Sequence, residues 1–319
     1  IHRDFEIAIA KFKGGEDAIV WPTGYSANLG VITAIMNPPK IGPSDFLKSK
    51  GIILSDELNH ASIVDACRMS RQKIIVYKHC DIKDLEKKLK KYSKRKKMVV
   101  TDGVFSMDGD IAPLDKIVPL CKQHNSMLMI DEAHATGIQG KNGHGTAEKF
   151  GLRPIKDIDI VLGTCSKALA ATGGFVVGSK DLIKYLRIAS RSYIFSTAMT
   201  PAASASLIAS LKVIETEPEI REKMWENAEY LRKGFNDIGF DILSSETQII
   251  PILIGSDTKA IEFSRRLFKG GVYGPCVRWP AVEKGKARIR FTVMSNHTKT
   301  QMDYLLNICK SISTKLNIV

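Results

Sequence analysis

The sequence predicts an α/β fold, with a large domain built on a mainly parallel sheet and a smaller C-terminal α+β domain. Three observations lead there. Short apolar segments recur at residues 52–54, 74–77, 99–101, 127–130, 158–162 and 175–177. Several are apolar throughout, as strands buried on both faces should be. Between them, residues 82–92 and 114–124 carry apolar side chains at helical spacing, and strands alternating with helices build parallel sheets. After Pro201 the texture changes. Helical stretches cover 202–215 and 218–238, followed by a strand (249–254), a helix (259–269), a strand (287–292) and a last helix (298–316). Pro251 lacks the N–H that an interior strand needs, so it marks an edge. A boundary near residue 200 divides the chain into domains 1–200 and 201–319.

Composition bounds the function. The chain has 319 residues, 44% of them hydrophobic and 25% charged, enough for two cores. No apolar run approaches the roughly 18 residues a membrane helix needs. Six cysteines (Cys67, Cys80, Cys121, Cys165, Cys276, Cys309) are scattered without a CxxC pair. That argues against a zinc site and fits reduced thiols in a cytoplasmic enzyme. Residue 1 is isoleucine, so a native start is expected upstream and no weight rests on the lack of a signal peptide. The net charge is +13, much of it in residues 87–97 (KKLKKYSKRKK). Such a run is either an anion- or nucleic-acid-binding patch or a solvated helix end before a strand. No aromatic platform accompanies it, which favours the solvated end. A basic surface also suits a phosphorylated substrate such as an acyl-CoA.

The chemistry concentrates in Asp131-Glu132-Ala133-His134 and Gly163-Thr164-Cys165-Ser166-Lys167-Ala168. Each run begins where an apolar strand segment stops, and open α/β sheets bind ligands at the carboxyl ends of their strands. A lysine that forms a Schiff base and an aspartate that holds a pyridinium nitrogen are what pyridoxal phosphate (PLP) asks of a protein. Thr164 and Ser166 offer hydroxyls beside Lys167, and Gly173-Gly174 allows close backbone approach. A surface lysine is the alternative. Asp131 would keep the ring nitrogen protonated; a helix N-cap is the alternative. His134 shares that loop and reads either as a donor to the cofactor or substrate or as a structural histidine.

Other runs add to this set. Residues 23–28 (TGYSAN) put a glycine and hydroxyls before a helix-like stretch, which suits a phosphate, though many turns look alike. His60, in residues 55–62 (SDELNHAS), stacks on a flat ring or caps a helix. Ser196-Thr197 is a further hydroxyl pair for a phosphate. Arg288 and Arg290 share one strand face, from which an inward arginine grips a carboxylate; a surface pair is the alternative.

Taken together, SDELNHAS (55–62), TDGVFSMDGDIAPL (101–114), DEAHATG (131–137), GTCSKA (163–168), FST (195–197) and ARIR (287–290) resemble the α-oxoamine synthases, PLP enzymes of fold type I. The resemblance covers essentially the whole chain. It implies that Lys167 is the Schiff-base lysine and proton-transfer group, that Asp131 pairs with the pyridine nitrogen and that His60 stacks on the ring. His134 and Ser106 are implied at the phenolic oxygen or the substrate. Gly24, Tyr25 and Thr164 are implied at the phosphate. Ser196 and Thr197 would reach the phosphate of a neighbouring subunit, which implies a homodimer with shared sites. Arg290 would hold the amino-acid carboxylate.

The implied reaction condenses a small amino acid with an acyl-CoA. Alanine with pimeloyl-CoA, a decarboxylative step of biotin synthesis, stands first. Acetyl transfer to glycine follows, then palmitoyl transfer to serine. A catalytically inactive, PLP-binding regulatory subunit is the reading from another class, and Lys167 argues against it. No metal, nucleic acid or membrane span is expected. The chain departs from the family pattern at Ala170-Ala171, where glycine is usual, at Thr200-Pro201, and at Trp279, where acyl specificity comes into question. Family length implies that roughly 80 residues precede this sequence.

Overall fold

The computed structural model describes residues 1–38 and 51–319. They form two compact units: Ile1–Phe105 with Ala112–Thr216, and Ser106–Ile111 with Glu217–Val319.

The first unit runs α1 (His2–Lys13), β1 (Asp17–Trp21), α2 (Gly24–Met36), β2 (Ile52–Asp56), α3 (Ala61–Met69), β3 (Lys73–Tyr77), α4 (Ile82–Lys91), β4 (Lys97–Asp102), α5 (Leu114–Gln123) and β5 (Ser126–Asp131). It continues through α6 (Thr146–Lys149), β6 (Ile160–Thr164), β7 (Gly174–Gly178), α7 (Lys180–Ala189), α8 (Arg191–Ile194) and α9 (Pro201–Thr216). The strands form one sheet in the order β1-β7-β6-β5-β4-β2-β3. β3, β2, β4, β5 and β6 are mutually parallel; β7 runs antiparallel to β6, and β1, antiparallel to β7, returns to the common direction.

The continuous apolar strands follow from burial on both faces. Ile52, Leu54, Val99, Leu128 and Ile130 enter one core with Phe5, Ile9 and Phe12 of α1. Ile53, Met98, Val100 and Met129 enter the other with Val31 and Ile32 of α2. Alternate side chains point to opposite faces, so a helix layer on each side leaves no polar position. In this unit β1 is a strand that the sequence pattern left unassigned, as it did the two-residue strand at Cys276–Val277 in the second unit. The five residues of β1 cannot be told from a buried helical turn by periodicity.

The unit boundary falls after Thr216 rather than near residue 200. Pro201 opens α9, a position proline favours. Leu207 and Leu211 of that helix join the α1-side core, so α9 belongs to the first unit.

The basic run closes α4. Lys88 pairs with Asp84 and Lys90 with Glu86, each at 2.5 Å, and Lys88 Nζ also donates to Val76 O. Lysines in a last turn complement the helix dipole.

The second unit contains α10 (Pro218–Ile238), β8 (Ile249–Gly255), α11 (Asp257–Lys269), β9 (Cys276–Val277), β10 (Ala287–Thr292) and α12 (Lys299–Leu316). Its antiparallel sheet has the order β8-β10-β9, so Pro251 sits on an edge strand. Residues 106–111 fold against this unit: Glu246 N donates to Gly109 O at 3.1 Å. Gly109 has φ +74°, and a Cβ there would stand 2.2 Å from Ile249 O. No described helix is long and apolar enough to cross a membrane.

Candidate active site

Four parallel strands, β2, β4, β5 and β6, end on one edge of the sheet, and Asp56, Asp102, Asp131 and Thr164 are their last residues. Asp102 and Asp131 are register partners on adjacent strands. Both are buried.

A hydrogen-bonded chain holds Asp131. Its Oδ1 accepts from Ala133 N at 2.9 Å and its Oδ2 from Asn28 Nδ2 at 2.8 Å. The same Nδ2 donates to Ser62 Oγ at 2.9 Å, and Ser62 Oγ lies 2.7 Å from His60 Nδ1. Ser62 Oγ can accept from Asn28 and donate to His60 Nδ1 together, and in that arrangement the ring proton sits on Nε2. Ser62 N at 3.3 Å from Nδ1 agrees with that tautomer. His60 N donates to Asp102 Oδ2 at 2.7 Å. Asn59 completes the frame, its Oδ1 accepting from Asp102 N and its Nδ2 donating to Ser55 Oγ and Val100 O, each at 2.9 Å.

The electrostatics follow from burial. Desolvation pushes Asp102 well above the usual carboxylate range, and the charge of Asp131 pushes it further. Desolvation also raises Asp131, opposed by the Asn28 hydrogen bond, the Lys167 charge, Ala133 N–H and His60. Burial lowers His60, so its imidazole is neutral near pH 7, with Asp131 opposing and Lys167 reinforcing the shift. The stability cost of an acid raised by folding accrues as pH rises from its unfolded value of about 3.9 to its folded one, and is fully present above that. Asp102→Asn keeps an acceptor for His60 N–H and removes that penalty. In the cofactor-free protein it should add about 1–3 kcal/mol near pH 7.5. The gain should vanish toward pH 4, as read by urea unfolding at both pH values.

Lys167 sits in the turn between β6 and β7. It is exposed, and its charge acts on His60, Asp102 and Asp131. The turn is pinned by Cys165 N to Gly173 O (2.9 Å), Ala171 N to Cys165 O (3.0 Å) and Ala170 N to Lys167 O (2.9 Å). Ala170 adopts φ +54°. An L-residue pays about 1–2 kcal/mol there, partly offset by glycine's greater unfolded-state freedom of about 0.5–1 kcal/mol. Ala170→Gly should therefore stabilise the protein by about 0.5–1 kcal/mol, seen as a higher Tm with an unchanged cofactor spectrum.

The start of α2 meets the end of β6. Thr23 and Ser26 form a reciprocal cap on that helix. A Cβ on Gly24 would stand 3.1 Å from Thr164 Cβ and 3.2 Å from its Oγ1, so glycine permits this approach. Thr164 Oγ1 donates to Gly173 O at 3.1 Å and lies 3.0 Å from Ser166 Oγ. A helix N-terminus beside hydroxyls suits a phosphate. Tyr25 is 48% exposed and its hydroxyl donates to Asp65 at 2.8 Å, and its backbone N–H lies in the first turn of α2, where N–H groups lack intrahelical acceptors.

The remaining expected residues lie elsewhere or are less constrained. His134 is half-buried in the loop after Asp131. Ser196 and Thr197 are exposed after α8, beside Phe195, itself 73% exposed. Ser106 and Arg290 belong to the second unit, where Arg290 Nε donates to Ser106 O at 2.5 Å. Arg288, two residues away on the same face, pairs with Asp108 at 2.6 Å. Asp56, His79 and Cys80 also bring one ligand atom each within 4.8 Å of one another. There Asp56 accepts from Leu58 N, His79 Nδ1 and Cys80 N at 2.9–3.0 Å, a hydrogen-bonded cap on β2.

Sequence reasoning did not single out Asn28, Ser62 or Asp102. A buried asparagine within the otherwise apolar α2 was the available signal for Asn28.

These residues fit PLP. Asp131 is buried, held at both oxygens and flanked by a second buried carboxyl, and a pyridinium N–H beside it would favour its ionised form. Lys167 and the α2–Thr164 cradle stand at the same sheet edge.

The sequence matches the aminotransferase class I and II family over residues 1–308. It is 46% identical over 320 residues to 8-amino-7-oxononanoate synthase of Lysinibacillus sphaericus, covering all of this chain and 79% of that one. A putative 8-amino-7-oxononanoate synthase of Acetivibrio thermocellus is 44% identical over 319 residues, with the same coverage. Among solved structures, serine palmitoyltransferase from S. paucimobilis with bound PLP–myriocin matches with TM-score 0.92 and 32% identity, over 100% of this chain and 77% of that one. The 8-amino-7-oxononanoate synthase of Francisella tularensis matches with TM-score 0.85 and 27% identity, over 100% and 88%. With the family matched along nearly its whole length and these relatives sharing its fold, the chain belongs to the aminotransferase class I and II family, among its α-oxoamine synthases.

Proposed function

We propose that this protein is a PLP-dependent 8-amino-7-oxononanoate synthase that joins alanine to pimeloyl-CoA. A carbon–carbon bond forms between the α-carbon of alanine and the thioester carbonyl carbon. CoA leaves as its thiol and the alanine carboxyl leaves as carbon dioxide. The observation that supports this reading is the 44% and 46% identity, over this whole chain, to two relatives of that name, against 32% to the serine palmitoyltransferase.

When bound, PLP supplies an electron sink that lets an amino acid's α-carbon lose a proton and act as a nucleophile. The chain's residues do the rest. Asp131, fixed by Asn28 and Ala133 N–H, holds the proton on the ring nitrogen. Neutral His60, fixed by Ser62, would pack against the cofactor. Gly24, Tyr25 and Thr164 hold the phosphate. The Lys167 amine would tether the cofactor and move the α-proton. His134 and Ser106 serve the phenolic oxygen or the substrate, and Arg290 the amino-acid carboxylate, on the strength of their motifs. The exposed Ser196 and Thr197 serve the phosphate of a second copy in a cytoplasmic homodimer.

Serine palmitoyltransferase is the second reading, favoured by the higher TM-score of those structures. An assay pairing glycine, alanine and serine with acetyl-, pimeloyl- and palmitoyl-CoA separates the two. Highest kcat/KM is expected for alanine with pimeloyl-CoA, with product identified by mass. A higher value for serine with palmitoyl-CoA would replace the first reading by the second.

A further inference from the structure

We infer that a buried ion pair, Lys13 with Glu132, sets the positions of Asp131 and His134 without touching the cofactor. This rests on the assignment of those two residues to the PLP site.

Both charges are withdrawn from water. The Lys13 side chain is 1% exposed and that of Glu132 0%, with Nζ 3.9 Å from Oε2. Lys13 is the last residue of α1, where a cation also complements the helix dipole. Its Nζ donates to Thr136 Oγ1 at 3.3 Å and to His144 O. One ammonium thus touches the loop after β5 at three points: residues 132, 136 and 144.

Glu132 is the post around which this loop folds. Its carboxylate accepts from Thr146 N at 2.9 Å, Thr146 Oγ1 at 2.5 Å and Ala147 N at 3.2 Å. Its backbone N donates to Leu162 O of β6 at 2.7 Å. Its backbone O accepts from Ala135 N at 3.0 Å, Thr136 N at 2.9 Å and Thr136 Oγ1 at 3.1 Å. The loop closes tightly over the pair. Gly145 has φ +115°, and a Cβ there would stand 2.3 Å from Glu132 Oε2 and 2.6 Å from Lys13 Nζ.

Glu132 directly follows Asp131 and lies two residues before His134, so its anchoring fixes the backbone of both. α1 sets Lys13 in turn, through Phe5, Ile9 and Phe12 in the core. Removing one partner leaves the other charge buried and uncompensated, which distorts the loop. Removing both charges should bring it nearer its native path, because no buried charge is left uncompensated and the amide oxygen of Glu132→Gln still accepts from Thr146 Oγ1 and Ala147 N. Lys13 and Glu132 are therefore positioning residues.

The test measures the PLP dissociation constant of the purified apoprotein by absorbance titration, with the visible spectrum of the bound form. Lys13→Met should weaken PLP binding by roughly 10- to 100-fold, as loss of an orienting partner does behind metal ligands, and alter the spectrum. Lys13→Met/Glu132→Gln should recover most of that loss, and exposed Lys11→Met on the same helix should bind like wild type. Wild-type PLP affinity in Lys13→Met, with only a lower Tm, would overturn the inference. If Lys13→Met does not fold, Glu132→Gln carries the same test, and wild-type affinity there overturns it equally. Asp131→Asn separates the layers: unaltered PLP binding and spectrum in that variant defeats the assignment of Asp131 itself, not the ion pair.

Discussion

Lys167→Ala should lower kcat with alanine and pimeloyl-CoA by about 1,000-fold or more, since it removes both the covalent tether and the proton carrier. The fold should survive, because Lys167 is exposed and its turn is pinned through the backbone of Cys165, Ala171 and Gly173. PLP should still bind through Asp131 and the phosphate cradle. Borohydride reduction followed by peptide mass analysis gives the direct check: wild type gains the cofactor's mass at Lys167 and the variant does not. Near-native turnover in Lys167→Ala would remove the lysine from the mechanism.

Asp131→Asn should move activity and stability in opposite directions. An amide cannot hold the ring nitrogen's proton by charge, so kcat should fall by about 100- to 1,000-fold, the scale of a lost electrostatic contact in a water-poor site. The apoprotein should become more stable near pH 7.5, because one of two adjacent buried carboxyls is gone. Asn28 Nδ2 keeps an acceptor in the amide oxygen, while Ala133 N–H loses its own, which offsets part of that gain. Differential scanning calorimetry of the apoprotein and steady-state kinetics of the holoenzyme read the two effects. Loss of both activity and stability would mean that Asp131 serves the fold, as the helix-cap alternative held.

The fold was legible where burial leaves a plain pattern. Strands covered on both faces must be apolar throughout, so five central strands stood out, and Pro251 identified its edge. β1 was not legible, being too short to show a period. The boundary near residue 200 shifted to Thr216 because α9 packs with α1, a contact between distant segments that no local composition shift records.

The site divides in the same way. Asp131, Lys167, His60 and Thr164 were readable because their chemistry is rare at strand ends and their runs match a family. Asn28, Ser62 and Asp102 were not, since a polar residue's meaning depends on what it faces. Asn28 and Asp131 are 103 residues apart in sequence and 2.8 Å apart in space. Lys13 reads locally as one more lysine closing a helix, and the tertiary fold makes it the buried counter-ion of Glu132.

By itself the sequence determined the fold class, the family and the chemical identity of the groups, because apolar period and side-chain type are local properties. Tertiary structure decided which carboxyl is desolvated, which imidazole is neutral and which charge meets which. Those depend on burial and distance between segments remote in the chain.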